Sequence, residues 1–232
     1  MTAHPAFPPL MAGRSVADPP FGAAVDAARA GVEAGLILHR ITSDDLAAAL
    51  VLVPEVPVDA AAAMLPLCGV GLQNALGALA PPELAVQLEW GGGIRLNGAR
   101  AGRLRAAIPP TDGDAVPAWL VVGLDLALAR GGDGGEAPDD TTLAAEGCGD
   151  VDGERLLEAW ARHTLHWIAR WEADGIAPLH AEWRGLAHGL GEPVTADGRT
   201  GTFLGIDERL GLLLKSADGT ALVPLATLLE IR

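Results

Sequence analysis

The stretch LAVQLEWGGGIRLNGARAGRLRAAI, residues 84–108, decides the fold. Apolar and polar residues alternate on both sides of Asn97-Gly98, as they do in strands with one buried face. Asn-Gly is the preferred pair for a two-residue type I′ turn, because both central residues of that turn adopt a positive φ. The stretch therefore predicts a β-hairpin in which Arg95 faces Arg100. Like charges so paired are unfavourable unless solvent or an anion lies between them.

The residues before the hairpin follow helix and strand patterns in turn. FGAAVDAARAGVEA (21–34) predicts a helix, and LILHR (36–40) and AAALVLV (47–53) predict strands. An apolar helix is predicted over residues 59–79. Pro66 predicts a kink in that helix, because proline lacks the N–H that a helix interior needs.

The residues after the hairpin predict one more strand, two helices and a separate small unit. WLVVGLDLALA (119–129) reads as a strand, and an acidic, glycine-rich loop (130–140) follows it. Asp152 can cap a long helix in which Trp160, Trp167 and Trp171 recur at helical spacing, as expected for a stripe that packs in the core or at an interface. A short helix is predicted over residues 179–187. Short strands and turns fill residues 189–232, which is typical of a small β-barrel. The chain is therefore predicted to be α+β, with a central mixed, mainly antiparallel sheet and helices.

The composition narrows the classes of partner. A net charge of -14 argues against nucleic acid or an anionic membrane as a partner, because both repel an acidic surface. No apolar run reaches the roughly 20 residues of a membrane span, and the N-terminus lacks a signal-peptide pattern, so a cytoplasmic protein is expected. Cys68 and Cys148 lie far apart and outside any ligand spacing, so no metal site is predicted.

Taken in order, these elements resemble the biotin and lipoate protein ligase family over nearly the whole chain. The family signature is Lys-Trp-Pro-Asn-Asp, then a strand, a turn and a second strand with Gly-x-x-x-Gly; here that region reads LEWGGGIRLNGARAGRL. VVGLDLAL is similar to the family's Gly-Ile-Gly-Ile-Asn strand. The residues that fall where the pattern expects them are Trp90, Ile94, Asn97, Gly98, Gly102, Leu104 and Gly123.

The resemblance implies a domain organisation and a set of ligands. It divides the chain into a ligase-like catalytic domain at residues 1–188 and an SH3-like C-terminal β-barrel at 189–232. It implies ATP and biotin or lipoate as ligands if the ligase activity is retained. It also implies a carrier domain of the biotinyl or lipoyl type as the protein partner.

The chain departs from the family pattern at the positions that handle charge. The family's Gly-Arg-Gly-Arg loop between the first two strands is missing here, where only HRITSDD separates them. In the Trp motif, Glu89 stands where the family has lysine, and Gly91-Gly92-Gly93 stands where the family has Pro-Asn-Asp. On the second strand of the hairpin, Ala99 stands in place of a lysine. On the strand that resembles Gly-Ile-Gly-Ile-Asn, Asp125 replaces the second glycine and Ala127 replaces the asparagine.

The candidate site residues follow from these positions. Arg95 and Arg100, with Arg40, form either an anion site or a solvated arginine face. The glycine triplet is either a phosphate cradle or a flexible loop. Asp125, on a buried strand, is expected to meet an arginine or to line a pocket. The ligand-binding candidates are Trp90, Gly91, Gly92, Gly93, Gly98, Gly102, Gly123, Asp125, Arg40 and His39.

Two functions from different classes remain open, with a third expectation about assembly. The first is a binding protein that takes a small carboxylic acid, a nucleotide or a carrier domain without efficient adenylation. The alternative is an active biotin- or lipoate-type ligase with a non-standard site, which attaches an acyl group to a carrier lysine at the expense of ATP. The third expectation is a homodimer through an exposed sheet edge.

Overall fold

The computed structural model describes residues 5–112, 114–130 and 139–232, so most of the predicted acidic loop, 131–138, lies outside the described residues. The helices are α1 (Pro20–Arg29), α2 (Val58–Ala61), α3 (Met64–Leu79), α4 (Gly153–Asp174) and α5 (Ala177–Leu186). The strands are β1 (Ala12–Ser15), β2 (Leu36–Ile41), β3 (Asp45–Leu52), β4 (Val86–Leu88), β5 (Gly93–Leu96), β6 (Ala99–Ile108), β7 (Leu120–Ala127), β8 (Pro193–Ala196), β9 (Arg199–Ile206), β10 (Leu212–Ser216), β11 (Gly219–Val223) and β12 (Leu229–Ile231).

The main sheet has the strand order β1-β2-β3-β7-β6-β5-β4, with β12 paired to the end of β6. β1 pairs with β2 in parallel and β12 pairs with β6 in parallel, whereas the other neighbours are antiparallel. This arrangement confirms the predicted α+β class with a mixed, mainly antiparallel sheet.

The hairpin of β5 and β6 has the predicted turn and register. Asn97 has a φ of 50° and Gly98 a φ of 91°, as a type I′ turn requires. Leu96 pairs with Ala99, and Arg95 pairs with Arg100. The local turn chemistry therefore fixes which side chains share a face at this end of the sheet.

One face of the main sheet is covered by α3 and α4, and tryptophans hold these two helices together. The indole nitrogen of Trp160 donates to the carbonyl oxygen of Cys68 at 3.0 Å, and that of Trp167 donates to Asn74 Oδ1 at 2.7 Å. Buried indole N–H groups need such acceptors. The tryptophans of α4 thus pack on α3 and form part of the core, as the helical spacing predicts.

The other face is covered only in part, by α1. Phe21 of α1 lies directly over Gly123 of β7, where a Cβ atom would come within 2.5 Å of the ring. The Arg105 guanidinium stacks 3.8 Å from the centre of the same ring. Among the described residues, the helix therefore covers part of this face and leaves a cleft beside it.

Two predicted helices differ from the structure. The first ends at Arg29 and not at residue 34, because Gly31 adopts a φ of 79° that a helix cannot continue. The predicted helix over 59–79 is two helices, α2 and α3, and not one kinked helix. Pro66 lies in the first turn of α3, where its missing N–H would have no helical partner in any case.

The C-terminal residues form a second, antiparallel sheet with the order β11-β10-β9-β8. A separate small β unit at this end of the chain is thereby confirmed. Its closure into an SH3-like barrel and the division at residues 188 and 189 stay predictions. After this sheet the chain returns to the main sheet, where β12 pairs with residues 106–108 of β6.

The stretch Val58–Leu79 has the length and apolarity of a membrane span, with 22 residues and a mean hydropathy of 1.4. However, 72% of its apolar window is buried inside the protein. Its residues are in contact with the main sheet and α4, as expected for the core helix of a globular fold.

Candidate functional site

A row of side chains crosses the part of the main sheet that α1 leaves open. Arg40 lies opposite Ala47, Ala47 opposite Asp125, and Asp125 opposite Arg103. Residues that oppose one another across strands share a face. Gly123, which α1 covers, is two residues from Asp125 on β7, so the row lies on the α1 face of the sheet.

This row forms the floor of an open cleft of about 420 Å³. Arg103 Nε lies 3.5 Å from Asp125 Oδ2, and both side chains are roughly half exposed, so water screens this ion pair and it adds little to stability. Guanidinium groups present several N–H donors to carboxylates, so the cleft can bind a small anion. The charged residues that line it are Arg40, Arg100, Arg103, Arg130, Asp45, Asp125 and Asp140.

The two arginines that face one another in the hairpin are bridged by a carboxylate of the chain itself. Glu89 Oε1 accepts from Arg95 Nε at 2.5 Å and from Arg100 Nη2 at 3.1 Å. Partial burial raises the pKa of the Glu89 carboxyl, but the hydrogen bonds and charges of Arg95 and Arg100 outweigh that effect, and the pKa lies below its ordinary value. The predicted anion position is therefore filled by Glu89.

The glycine triplet forms a closed turn between β4 and β5. The Gly92 N–H donates to the Glu89 carbonyl oxygen at 3.0 Å, and the Glu89 N–H donates to Gly93 O at 2.8 Å. The Gly92 carbonyl accepts from the Leu104 N–H at 2.6 Å, and Gly92 has a φ of 91°. The turn is held by its own hydrogen bonds and is therefore not a flexible loop, and the phosphate cradle stays a prediction.

Trp90 joins the two sheets and is 7% exposed. Its indole nitrogen donates to the Leu210 carbonyl oxygen at 2.8 Å. The cavity beside it, which Leu65, Trp183 and Leu225 also line, has a volume of about 10 Å³, roughly that of one water. The space beside Trp90 is thus filled by side chains, and a ligand-binding role for this residue stays a prediction.

His39 lies on the opposite side of β2 from its neighbour Arg40, since successive side chains in a strand alternate. It is buried, and its ring centre is 6.0 Å from that of Phe7. The structure does not bring His39 to the cleft.

The remaining candidate glycines have structural roles that their positions explain. Gly98 completes the hairpin turn. A Cβ on Gly102 would collide with the Asp125 carbonyl oxygen, so this glycine allows β6 and β7 to approach closely. Gly123 accommodates the Phe21 ring. Of these three, Gly102 lines the cleft.

Several cleft residues lie outside the set that the sequence indicates, namely Arg103, Arg130, Asp45 and Asp140. Arg103 could have been found from its register with Asp125, but that register depends on how the hairpin pairs with a strand distant in sequence. Arg130 and Asp140 lie at the two ends of the predicted loop, where no helix or strand pattern indicates which way a side chain faces.

The described part of the cleft holds carboxylates beside its arginines. Arg100 is bonded to Glu89, and three aspartates face the same space. A polyanion would meet these carboxylates at close range. Within residues 5–112, 114–130 and 139–232, no group of three His, Cys, Asp or Glu side chains is placed to hold a metal ion.

Comparison with known proteins gives matches for both parts of the chain. The model of the biotin/lipoate A/B protein ligase family matches residues 7–185, and a domain of unknown function (DUF4444) matches residues 190–231. The chain is 32% identical over 193 residues to a biotin--[acetyl-CoA-carboxylase] ligase of Paracoccus denitrificans, covering 78% of each protein.

Solved structures give the same result. A biotin protein ligase-like protein of unknown function from Silicibacter sp. TM1040 is 58% identical and superposes with a TM-score of 0.91 over 97% of this chain and 99% of that one. The biotin protein ligase of Aquifex aeolicus, in complex with biotin and ATP, is 19% identical with a TM-score of 0.66 over 86% and 90% of the two chains, a likeness of fold alone. By its sequence match over most of its length, the chain belongs to the biotin/lipoate A/B protein ligase family.

Proposed function

We propose that this protein binds a small carboxylic acid on the open face of its main sheet and does not form an acyl-adenylate efficiently. The observation that carries the proposal is the cleft over β2, β3, β7 and β6, where two of the four lining arginines are paired with carboxylates of the chain and three aspartates face the same space. Family membership supports a carboxylic acid of the biotin or lipoate type as the ligand.

The size and charge of the cleft suit a singly charged ligand. Its volume of about 420 Å³ lies within the range of small-molecule sites. Arg40 and Arg103 lie at the two ends of the row on its floor, and a carboxylate needs only one guanidinium to bind in a two-point contact. The three aspartates disfavour ligands with several negative charges.

Adenylation makes a heavier demand on the site. A carboxylate must approach an α-phosphate, and fixed positive charge has to stabilise both anions in the transition state. Ala99 and Ala127 stand where the resemblance places a lysine and an asparagine, and Glu89 stands where it places a second lysine. Loss of one preorganised donor typically costs about 3 kcal/mol of transition-state stabilisation, and here three are replaced.

An active ligase is the second candidate function. It is favoured by the 32% identity to a protein named biotin--[acetyl-CoA-carboxylase] ligase, whose name implies a carrier protein as substrate. In either case we propose a carrier domain as the partner and a cytoplasmic location. A homodimer through β1 also stays a proposal, supported by its position at the edge of the main sheet with all four residues exposed.

Isothermal titration with biotin, lipoate and octanoate tests the binding proposal. We expect heat of binding from at least one acid, and a loss of affinity of about tenfold in Arg103→Ala, because one charged hydrogen bond is removed. Arg184→Ala, an exposed arginine on α5, is the matched control and should bind as the wild type does. If none of the acids gives heat, the binding proposal is wrong.

Release of pyrophosphate separates the two candidate functions. With ATP, Mg²⁺ and each acid, we expect no pyrophosphate above the rate of a no-protein blank. Turnover at the ordinary speed of enzymes, about 1 s⁻¹ or more, would establish the ligase and overturn the proposal of a non-adenylating site.

A further inference from the structure

Arg95 and Arg100 form a pair of facing arginines next to the cleft. They are directly opposed on β5 and β6, where two like charges repel unless an anion lies between them. The Arg95 side chain is 18% exposed, whereas that of Arg100 is 51% exposed and lines the cleft. The pair therefore extends from the half-buried hairpin to the open surface.

The Glu89 carboxylate uses the N–H donors that an external anion would use. Arg100 Nη2 lies 3.1 Å from both Glu89 oxygens, and Arg95 Nε is bonded to one of them. Arg95 Nη1 donates to the Gly98 carbonyl oxygen at 2.6 Å, which fixes the direction of its guanidinium. Carboxylate and phosphate oxygens are equivalent partners for such a fork of donors.

The turn between β4 and β5 positions the Glu89 carboxylate. A Cβ on Gly93 would overlap the Glu89 carboxyl group in its present position, so the Glu89 side chain packs directly against the backbone of this glycine. The turn through Gly92 then places Glu89 beside β5. Glu89 thus fills space that its own turn leaves vacant, with a quarter of its side chain exposed.

We propose that Glu89 is a specificity-determining residue, a resident anion that occupies the site between Arg95 and Arg100 and excludes phosphate-bearing ligands from this end of the cleft. The inference deepens the proposed function by naming the residue that selects against phosphates. The inference rests on the proposed function only where it names a carboxylic acid as the ligand of the cleft. The exclusion of phosphates by Glu89 does not depend on that ligand.

Glu89→Gln tests the proposal, because the amide keeps the shape of the side chain and removes its charge. The probe is inorganic pyrophosphate, titrated calorimetrically against the full chain. We expect wild-type protein to give no measurable heat, and Glu89→Gln to gain affinity by about tenfold or more over the detection limit, since two charged donors become available. Glu89→Ala, a second variant should the first unfold, is expected to show the same gain.

Two controls separate a local site from a general effect of charge. Glu230 lies in β12 and forms an ion pair with Arg232. Glu230→Gln makes the same change in net charge as Glu89→Gln and should gain no affinity for pyrophosphate. The double variant Glu89→Gln with Arg100→Ala should lose the affinity that the single variant gained. Circular dichroism melts confirm that each variant is folded before titration.

Three results would overturn the proposal: wild-type protein that binds pyrophosphate as tightly as Glu89→Gln, folded Glu89 variants that gain no affinity, or an equal gain in Glu230→Gln. These results are independent of the titrations with carboxylic acids. A gain for pyrophosphate without binding of any acid would support the resident anion and reject the proposed function.

Discussion

The indole nitrogen of Trp90 donates a hydrogen bond of 2.8 Å to the carbonyl oxygen of Leu210, and this bond connects the turn between β4 and β5 of the main sheet to the second sheet. Leu210 is almost fully buried and has a φ of 66°, a conformation that non-glycine residues seldom adopt. The turn at Asp207–Gly211 is held by the Asp207 side chain, which accepts from the Gly211 N–H at 2.7 Å. Trp90 thus connects the main sheet to the second sheet through a hydrogen bond.

Trp90→Phe keeps the apolar contact and removes the donor. We expect a loss of about 1–3 kcal/mol in the free energy of unfolding, because the buried Leu210 carbonyl is left without this partner. Urea denaturation followed by tryptophan fluorescence and by circular dichroism measures it. An unchanged midpoint would show that Trp90 acts only by its apolar surface.

Gly123→Ala should weaken the packing of α1 on the sheet. The added Cβ would lie 2.5 Å from the Phe21 ring, so the ring or the helix that carries it must shift, at a cost of about 1–3 kcal/mol. Gly22→Ala, on α1 itself, meets nothing within 4 Å and should stabilise the protein by about 0.5–1 kcal/mol. Thermal melts of the two variants should therefore move in opposite directions.

Thr164→Val should stabilise the contact between α3 and α4. Among the described residues the Thr164 hydroxyl is buried and has no hydrogen-bond partner, and valine has nearly the same shape. We expect a gain of about 1 kcal/mol or more. Thr141→Val is the matched comparison, since Thr141 Oγ1 donates to Glu146 Oε1 at 2.5 Å, and it should lose about 1–3 kcal/mol. Equal losses in both variants would contradict the assignment for Thr164.

Glu89→Gln should change how stability depends on pH. The folded-state pKa of Glu89 lies below its ordinary value of 4.5, so ionised Glu89 stabilises the fold above that value, and this contribution is lost as the pH falls through the folded-state pKa. The melting temperature of wild type should exceed that of Glu89→Gln at about pH 7, and the difference should shrink towards about pH 3. A difference that stays constant over this range would exclude Glu89 as the titrating group.

Native thiols should be unreactive. Burial raises the pKa of the Cys68 thiol strongly, and burial together with the nearby Glu146 charge raises that of Cys148. Because the thiolate is the nucleophile, we expect a thiol reagent at about pH 8 to modify neither cysteine until denaturant is added. Rapid labelling of Cys148 alone would show that the turn at residues 144–148 opens in the native state.

The local parts of the fold could be predicted because neighbouring residues encode them. Asn97-Gly98 determines its turn and hence the facing of Arg95 and Arg100, and the spacing of tryptophans along α4 predicts its buried stripe. The end of α1 was predicted less well, since Gly31 stops the helix through its own φ and not through the apolar pattern.

The sequence by itself determined the hairpin, most of the order of helices and strands, the family and the exchange of lysine for Glu89. Only the tertiary structure decided what those residues do. In the folded chain, the Glu89 carboxylate binds the facing arginines Arg95 and Arg100, and Trp90 bonds to the second sheet. Asp125 pairs with Arg103 in the cleft. The physical reason is that turns and helices depend on residues a few positions apart, whereas the partner of a charge depends on which distant strands pack side by side.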